Sequence, residues 1–142
     1  MNLFTLFCFS TMLLFSSFKA EENHLIKVTI SGLKSNKGII YFSLFNGAEG
    51  FPENHLKALH IGTLKIINNS AQITFSNIPK GDYAFACFHD ENENKKLDKN
   101  MFGYPLESVG TSNNAKGTFG PPGFADAKIT VNKNTSLSVT VY

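Results

Sequence analysis

GDYAFACFHD, residues Gly81–Asp90, places Tyr83, Phe85 and Cys87 on one side of an extended chain and Ala84, Ala86 and Phe88 on the other. Side chains alternate across a strand, so this is a strand that is apolar on both faces. Such a strand is covered on both faces. One face serves a core between two sheets. The other needs a lid, and the chain offers one a few residues later.

Working outward, the same period of two recurs. Upstream, Ile26, Val28 and Ile30 alternate with Lys27 and Thr29. Gly38–Phe45 (GIIYFSLF) is again apolar on both faces. His60–Ile67 alternates weakly, and Ala71–Phe75 puts Ile73 and Phe75 in phase. Downstream, Ala125–Val131 and Thr135–Tyr142 read as two closing strands, the last with Leu137, Val139 and Val141 in phase. Between these strands lie turn signals: Gly32, Asn68-Asn69 and Ile78-Pro79-Lys80-Gly81. Residues Asn46–Leu59 form a connection with a short helical turn around Glu53–Ala58. The expected class is all-β: an antiparallel, seven-stranded Greek-key sandwich, immunoglobulin-like or prealbumin-like, occupying residues 24–142 as one domain.

Lys99–Gly123 breaks the rhythm. It holds Gly103, Gly110, Gly117, Gly120 and Gly123 with Pro105, Pro121 and Pro122. Long loops without structure of their own are unusual in compact domains and are commonly functional. This one carries Phe102, Tyr104 and Phe119, so it is expected to be ordered, packed down, and the cover for the second face of Gly81–Asp90.

At the amino end, Leu3–Phe18 is an unbroken run of apolar and small residues (LFTLFCFSTMLLFSSF), followed by Lys19, Ala20 and the pair Glu21-Glu22. Residues 1–20 read as a signal peptide. Ala20 suits the position before a cleavage point, whereas Phe18 two residues earlier does not. The alternative is an uncleaved amino-terminal anchor. Export places the mature protein in the periplasm or outside the cell, with no membrane span once the leader is removed.

Composition narrows the functional classes. Hydrophobic residues make up 42% and charged residues 17%, which is globular. Every basic residue is Lys, scattered among acids, with a net charge of +2. No clustered, Arg-bearing surface marks a nucleic-acid binder. Of Cys8 and Cys87, the first lies in the leader, so no internal disulfide is expected in the mature chain.

The segment after the strongest strand carries chemistry. In His89-Asp90-Glu91-Asn92-Glu93-Asn94-Lys95-Lys96-Leu97-Asp98, the residues Asp90, Asn92, Asn94 and Asp98 fall at positions one, three, five and nine of an acidic calcium loop. Alternating oxygen-bearing side chains wrap a hard cation that takes six to eight oxygens. Position six is Lys95, where Gly ordinarily supplies the sharp turn, and position twelve is Met101 instead of a bidentate Glu. Glu107 is a candidate to reach in from the long loop. Ca²⁺ on Asp90, Asn92, Asn94 and Asp98 therefore stands beside a plain Asn/Asp-rich turn held by its own hydrogen bonds. Cys87 and His89 share a strand face, about 7 Å apart at the usual rise. That is too far for a nucleophile–base bond, and a buried Cys is the simpler reading. A zinc site joining His89 and Asp90 to His24, His55 or His60 lacks any pairing that assembles it.

The stretch Asn77–Asp98, with Phe102–Ser108 and Gly110–Ala127, resembles the domain of unknown function 2141 family of exported bacterial proteins. The resemblance runs over about Leu25–Tyr142. It implies a small prealbumin-like or immunoglobulin-like sandwich, in which Pro79, Gly81 and Tyr83 fit a Pro-x-Gly-x-Tyr strand opening. The family's acidic loop has Gly where this chain has Lys95. The resemblance implies no activity. The expectation is an exported, non-enzymatic binding or interaction module of the cell envelope, with an envelope protein or glycan as partner. The alternatives are a purely structural envelope domain and, less favoured, a small metal-dependent hydrolase.

Overall fold

The structure, a computed structural model, describes residues 22–142; the expected signal peptide and Cys8 lie outside them. Eight strands follow in order: β1 (Asn23–Ser31), β2 (Ile39–Phe45), β3 (His60–Leu64), β4 (Ala71–Pro79), β5 (Gly81–Asp90), β6 (Val109–Thr111), β7 (Ile129–Val131) and β8 (Thr135–Thr140). A 3-10 turn at His55–Lys57 answers the helical turn expected there, a second sits at Ser112–Asn114, and one four-residue helix, α1 (Phe124–Ala127), precedes β7. No helix among the described residues is long and apolar enough to cross a membrane.

The strands form two sheets. One has the order β4-β1-β8; the other runs β3-β2-β5-β6, with β7 also on β5. β5 pairs along its whole length with β2, from Ile39 opposite Asp90 to Phe45 opposite Ala84. Its other edge is shared: β7 takes Gly81–Tyr83 and β6 takes Ala86–Phe88. The inward residues of both sheets make a single core, with Ile26, Val28 and Ile30 from β1, Ile40, Phe42 and Leu44 from β2, Phe75 and Ile78 from β4, and Tyr83, Phe85 and Cys87 from β5. Phe42 and Phe75, from opposite sheets, meet edge to face with centroids 5.6 Å apart. That is the favoured geometry for aromatic pairs, in which the positive edge meets the negative face.

Three expectations need correction. The sheets are not wholly antiparallel: β1 and β8 run parallel, Ile26 opposite Thr135 through Ser31 opposite Thr140. The described residues hold eight strands, because the Gly/Pro segment contributes β6. Residues Ala125–Ala127 are helical, and only Ile129–Val131 of that stretch is strand. The second and third differences have one cause. A short segment becomes a strand where a neighbouring strand presents free backbone groups, and the edge of β5 does so at two places.

The outward face of the five-stranded sheet is covered unevenly. At one end Phe45 is fully buried beneath Phe51, which in turn meets Phe124, each pair edge to face. Farther along, Tyr41, Ser43, Ala86 and Phe88 floor an open groove. The long loop is anchored, not floppy. The Ser112 hydroxyl, fully buried, accepts the Phe85 N–H at 2.9 Å and donates to the Ala127 carbonyl at 2.5 Å. At Gly117 a Cβ would stand 2.0 Å from the Gly120 carbonyl oxygen, so only Gly allows this fold of the loop on itself. The aromatics of the loop, however, do not pack down. Phe102, Tyr104 and Phe119 are 77%, 55% and 93% exposed.

Candidate functional site

The acidic loop begins where β5 leaves the ladder. Asp90 is fully buried, and its carboxylate accepts the N–H of Asn94 at 3.1 Å and that of Lys95 at 2.7 Å. The Asn92 side-chain oxygen accepts the Asn94 N–H, and the Asn94 oxygen accepts the Lys96 N–H, two side chain to backbone turns in succession. Both amides then donate to Asp98, Asn92 at 2.7 Å and Asn94 at 3.0 and 3.1 Å. The structure thus gathers Asp90, Asn92, Asn94 and Asp98 into one connected cluster. Lys95 adopts φ of +66°, the left-handed conformation that Gly would take without penalty.

Glu107 does reach in from the long loop, and its role is defined by its partners. One oxygen accepts the Glu91 N–H at 2.9 Å and the other the Asp98 N–H at 3.0 Å, so the carboxylate clasps both ends of the turn. Each carboxylate oxygen has two lone pairs, so these bonds leave acceptor capacity unused. Among the described residues no group of three or more His, Cys, Asp or Glu is placed to hold a metal ion. The cluster has a mixed donor set, in which amides stand between Asp90 and Asp98.

The second feature is the groove on the outward face of β2 and β5, with a volume of about 670 Å³. Residues 46–59 supply one wall through Pro52, Glu53 and His55. The long loop supplies the other through Phe102, Tyr104, Phe119 and Pro121. On the floor, Tyr41 and Phe88 are cross-strand partners, and their rings stack 5.2 Å apart within 8° of parallel. His55 stacks against Phe88 at 6.3 Å and shares a 2.9 Å hydrogen bond between its Nδ1 and Ser43 Oγ. An ion pair between Lys99 and Glu53 joins the two walls. The sequence held two signals for this site: the long Gly/Pro loop with Phe102, Tyr104 and Phe119, and Ser43, a hydroxyl inside the largely apolar run Ile39–Phe45.

Cys87 and His89 do not form a catalytic pair. Cys87 is buried, and burial pushes its thiol up to about 12, against a small opposing effect of a backbone hydrogen bond from Gly110. The thiolate is the nucleophilic form, so this thiol is inert near neutral pH. In protein freed of residues 1–20, a chromogenic thiol reagent is expected to find no reactive Cys until denaturant is added. Prompt labelling of the native protein would contradict the burial. His89, also fully buried, donates from Nε2 to the Lys37 carbonyl at 2.6 Å; its Nδ1 lies 3.7 Å from a Glu91 oxygen. The remaining described His are dispersed: His55 at the groove, His60 stacked on Phe75, and His24 at the start of β1. They do not assemble the zinc set.

No curated protein and no solved structure matches the chain. One family model does, over residues 28–138, which takes in β5, the acidic loop, the groove and the long loop. By that match the chain belongs to the family described as "Uncharacterized protein conserved in bacteria (DUF2141)".

Proposed function

We propose that the protein is an exported, non-enzymatic binding module of the bacterial cell envelope, periplasmic or secreted, that takes its ligand in the groove over β2 and β5. The observation that carries this reading is the exposure of Phe102, Tyr104 and Phe119 around a cleft whose floor is already stacked. Clustered aromatic surface facing water marks an interaction site more often than a structural need. The cleft also falls within the size range of small-molecule sites, about 300–1,000 Å³. A purely structural envelope domain, the alternative, has no use for three unpacked rings. A small metal-dependent hydrolase is favoured less, since the Cys87 thiol is inert and the Ser43 hydroxyl beside His55 is itself buried. The finer architecture we propose is the Greek-key, immunoglobulin- or prealbumin-like one, supported by connections that pass between sheets after β1, β3, β4 and β7.

A neutral apolar reporter dye such as Nile red tests the groove. Bright, saturable binding is expected, and simultaneous Phe102→Ser, Tyr104→Ser and Phe119→Ser is expected to abolish it without changing the circular dichroism spectrum. Equal dye binding by the folded triple variant would sink the reading.

We further propose that Ca²⁺ stabilises the acidic loop through Asp90, Asn92, Asn94 and Asp98. The support is their convergence, with Glu107 bracing the ends. The Asn92 and Asn94 oxygens each accept one backbone N–H and keep a second lone pair. Affinity in the weak extracellular range, about 10⁻⁴ to 10⁻³ M, is expected for so few charged ligands. At ten times the dissociation constant, binding to the folded state adds about 1.4 kcal/mol. For a domain of this size that raises the melting midpoint by roughly 5 °C. Asp98→Asn removes the shift. Superimposable melts in millimolar calcium and in chelator would retire the metal.

A further inference from the structure

We infer that the ligand of the groove is a neutral saccharide chain, its sugar faces against Phe102, Tyr104 and Phe119 and its hydroxyls on the Ser43–His55 pair. This rests on the binding reading above and specifies its chemical class.

Charge is the first argument. Only Glu53, Lys99 and Glu107 among the lining side chains carry a formal charge, His55 aside. Glu53 and Lys99 neutralise each other across the walls, and Glu107 gives one oxygen to each of two backbone N–H groups. An anionic ligand would leave water for a cleft whose one lining cation, Lys99, is already paired with Glu53, which is costly. A nucleic-acid segment also stacks on aromatic rings, but it needs cations along its backbone, and the groove has none to spare.

Polarity is the second. Ser43 is 2% exposed and its hydroxyl is tied to His55 Nδ1, which leaves the other ring nitrogen of the exposed His55 for a ligand. The stack of His55 on Phe88 and of Phe88 on Tyr41 fixes that imidazole before anything binds. A purely apolar ligand, such as an acyl chain, would cover this polar pair without satisfying it, at a cost of about 1–3 kcal/mol per buried unpaired group. A hydroxyl, being both donor and acceptor, suits either tautomer of the ring.

Shape is the third. The exposed rings belong to the Gly/Pro loop, while the polar pair joins the floor, at Ser43, to the opposite wall, at His55. A ligand that meets both is amphipathic, with C–H faces toward the rings and hydroxyls at its edges. Sugars combine those features with neutrality.

The experiment titrates the full chain with cellohexaose, maltohexaose and chitohexaose, with the apolar dye as competitor, and with hexagalacturonate as a charged control. At least one neutral hexasaccharide is expected to bind and displace the dye, and the charged one to bind at least tenfold more weakly. Phe119→Ala is expected to weaken the bound saccharide by about tenfold, the value of one aromatic contact. That residue is 93% exposed, so its loss leaves the fold intact. Ser43→Ala is expected to do the same at the polar end. Dye binding with no neutral saccharide bound overturns the saccharide and leaves the binding module standing. A groove that takes neither dye nor saccharide overturns both. Preference for hexagalacturonate overturns the neutral ligand, and an unchanged affinity in folded Phe119→Ala overturns its seat on the rings; the binding module stands in both cases.

Discussion

Replacing Phe85 with Ala is expected to cost the domain about 3–5 kcal/mol, the usual range for deleting a buried aromatic ring. Phe85 is fully buried at the middle of β5. Its ring lies 6.2 Å from that of Phe42 in its own sheet and 6.4 Å from that of Phe75 in the opposite one. Removing it takes the shared partner from both. The cavity opens between two sheets that are each tied by their own ladders, so collapse to refill it is restricted. Domains are stable by only about 5–15 kcal/mol, so the variant should retain a small fraction of native stability or none. Urea unfolding followed by tyrosine fluorescence checks this: the midpoint falls while the slope holds. A loss below about 1 kcal/mol, the centre of the distribution for ordinary point mutations, would mean that the two sheets do not meet at this ring.

Gly38→Ala is expected to be nearly as damaging, through the backbone. Gly38 has φ of +74°, and a Cβ placed there would stand 2.1 Å from the Asp90 carbonyl oxygen and 2.8 Å from the Glu91 Cα. No side chain can swing aside, because the atoms in the way are main chain. The left-handed conformation costs a non-glycine residue about 1–3 kcal/mol. The overlap adds the work of pushing the end of β5 away from β2. A total loss of at least about 2 kcal/mol is expected in thermal or chemical melts, within the range of special-backbone substitutions. The damage should be local first. Asp90 anchors the acidic loop, so amide exchange over residues 91–98 should quicken before the rest of the domain loosens. Gly38→Ala with native exchange at those amides would show that the loop does not depend on this contact.

The parts of this fold written in local pattern were legible. β1, β2, β4 and β5 follow the alternation of their own side chains, and the Pro79-Lys80-Gly81 punctuation sits where the chain passes from one sheet to the other. The acidic loop was legible for the same reason: the spacing of Asp90, Asn92, Asn94 and Asp98 is short, and the loop closes on itself. Three things were hidden, two of them decided by a distant partner. β6 is three residues, Val109–Thr111, that are strand only because Ala86–Phe88 has a free edge. The direction of β8 beside β1 leaves no mark in either sequence, because an alternating strand looks the same read for parallel or antiparallel pairing. The exposure of Phe102, Tyr104 and Phe119 runs against the habit of aromatic residues. Phe102 and Tyr104 stand on a turn whose N–H groups are held by the Asn100 side-chain oxygen, and Phe119 stands within the Gly117–Gly120 fold.

The parallel seat of β8 beside β1 bears on when the molecule can assemble. Asn23–Ser31 has β4 on one flank early, but its other flank waits for Thr135–Thr140, the last of the described strands. A chain synthesised amino end first cannot complete this smaller sheet until Thr135–Thr140 has been made. Contacts so far apart in sequence also form slowly. Until then Val28 and Ile30 border an unfilled edge, and unpaired strand edges of this kind are prone to aggregate. A nascent chain that stops short of residue 135 should therefore be a protease substrate, however complete its larger sheet.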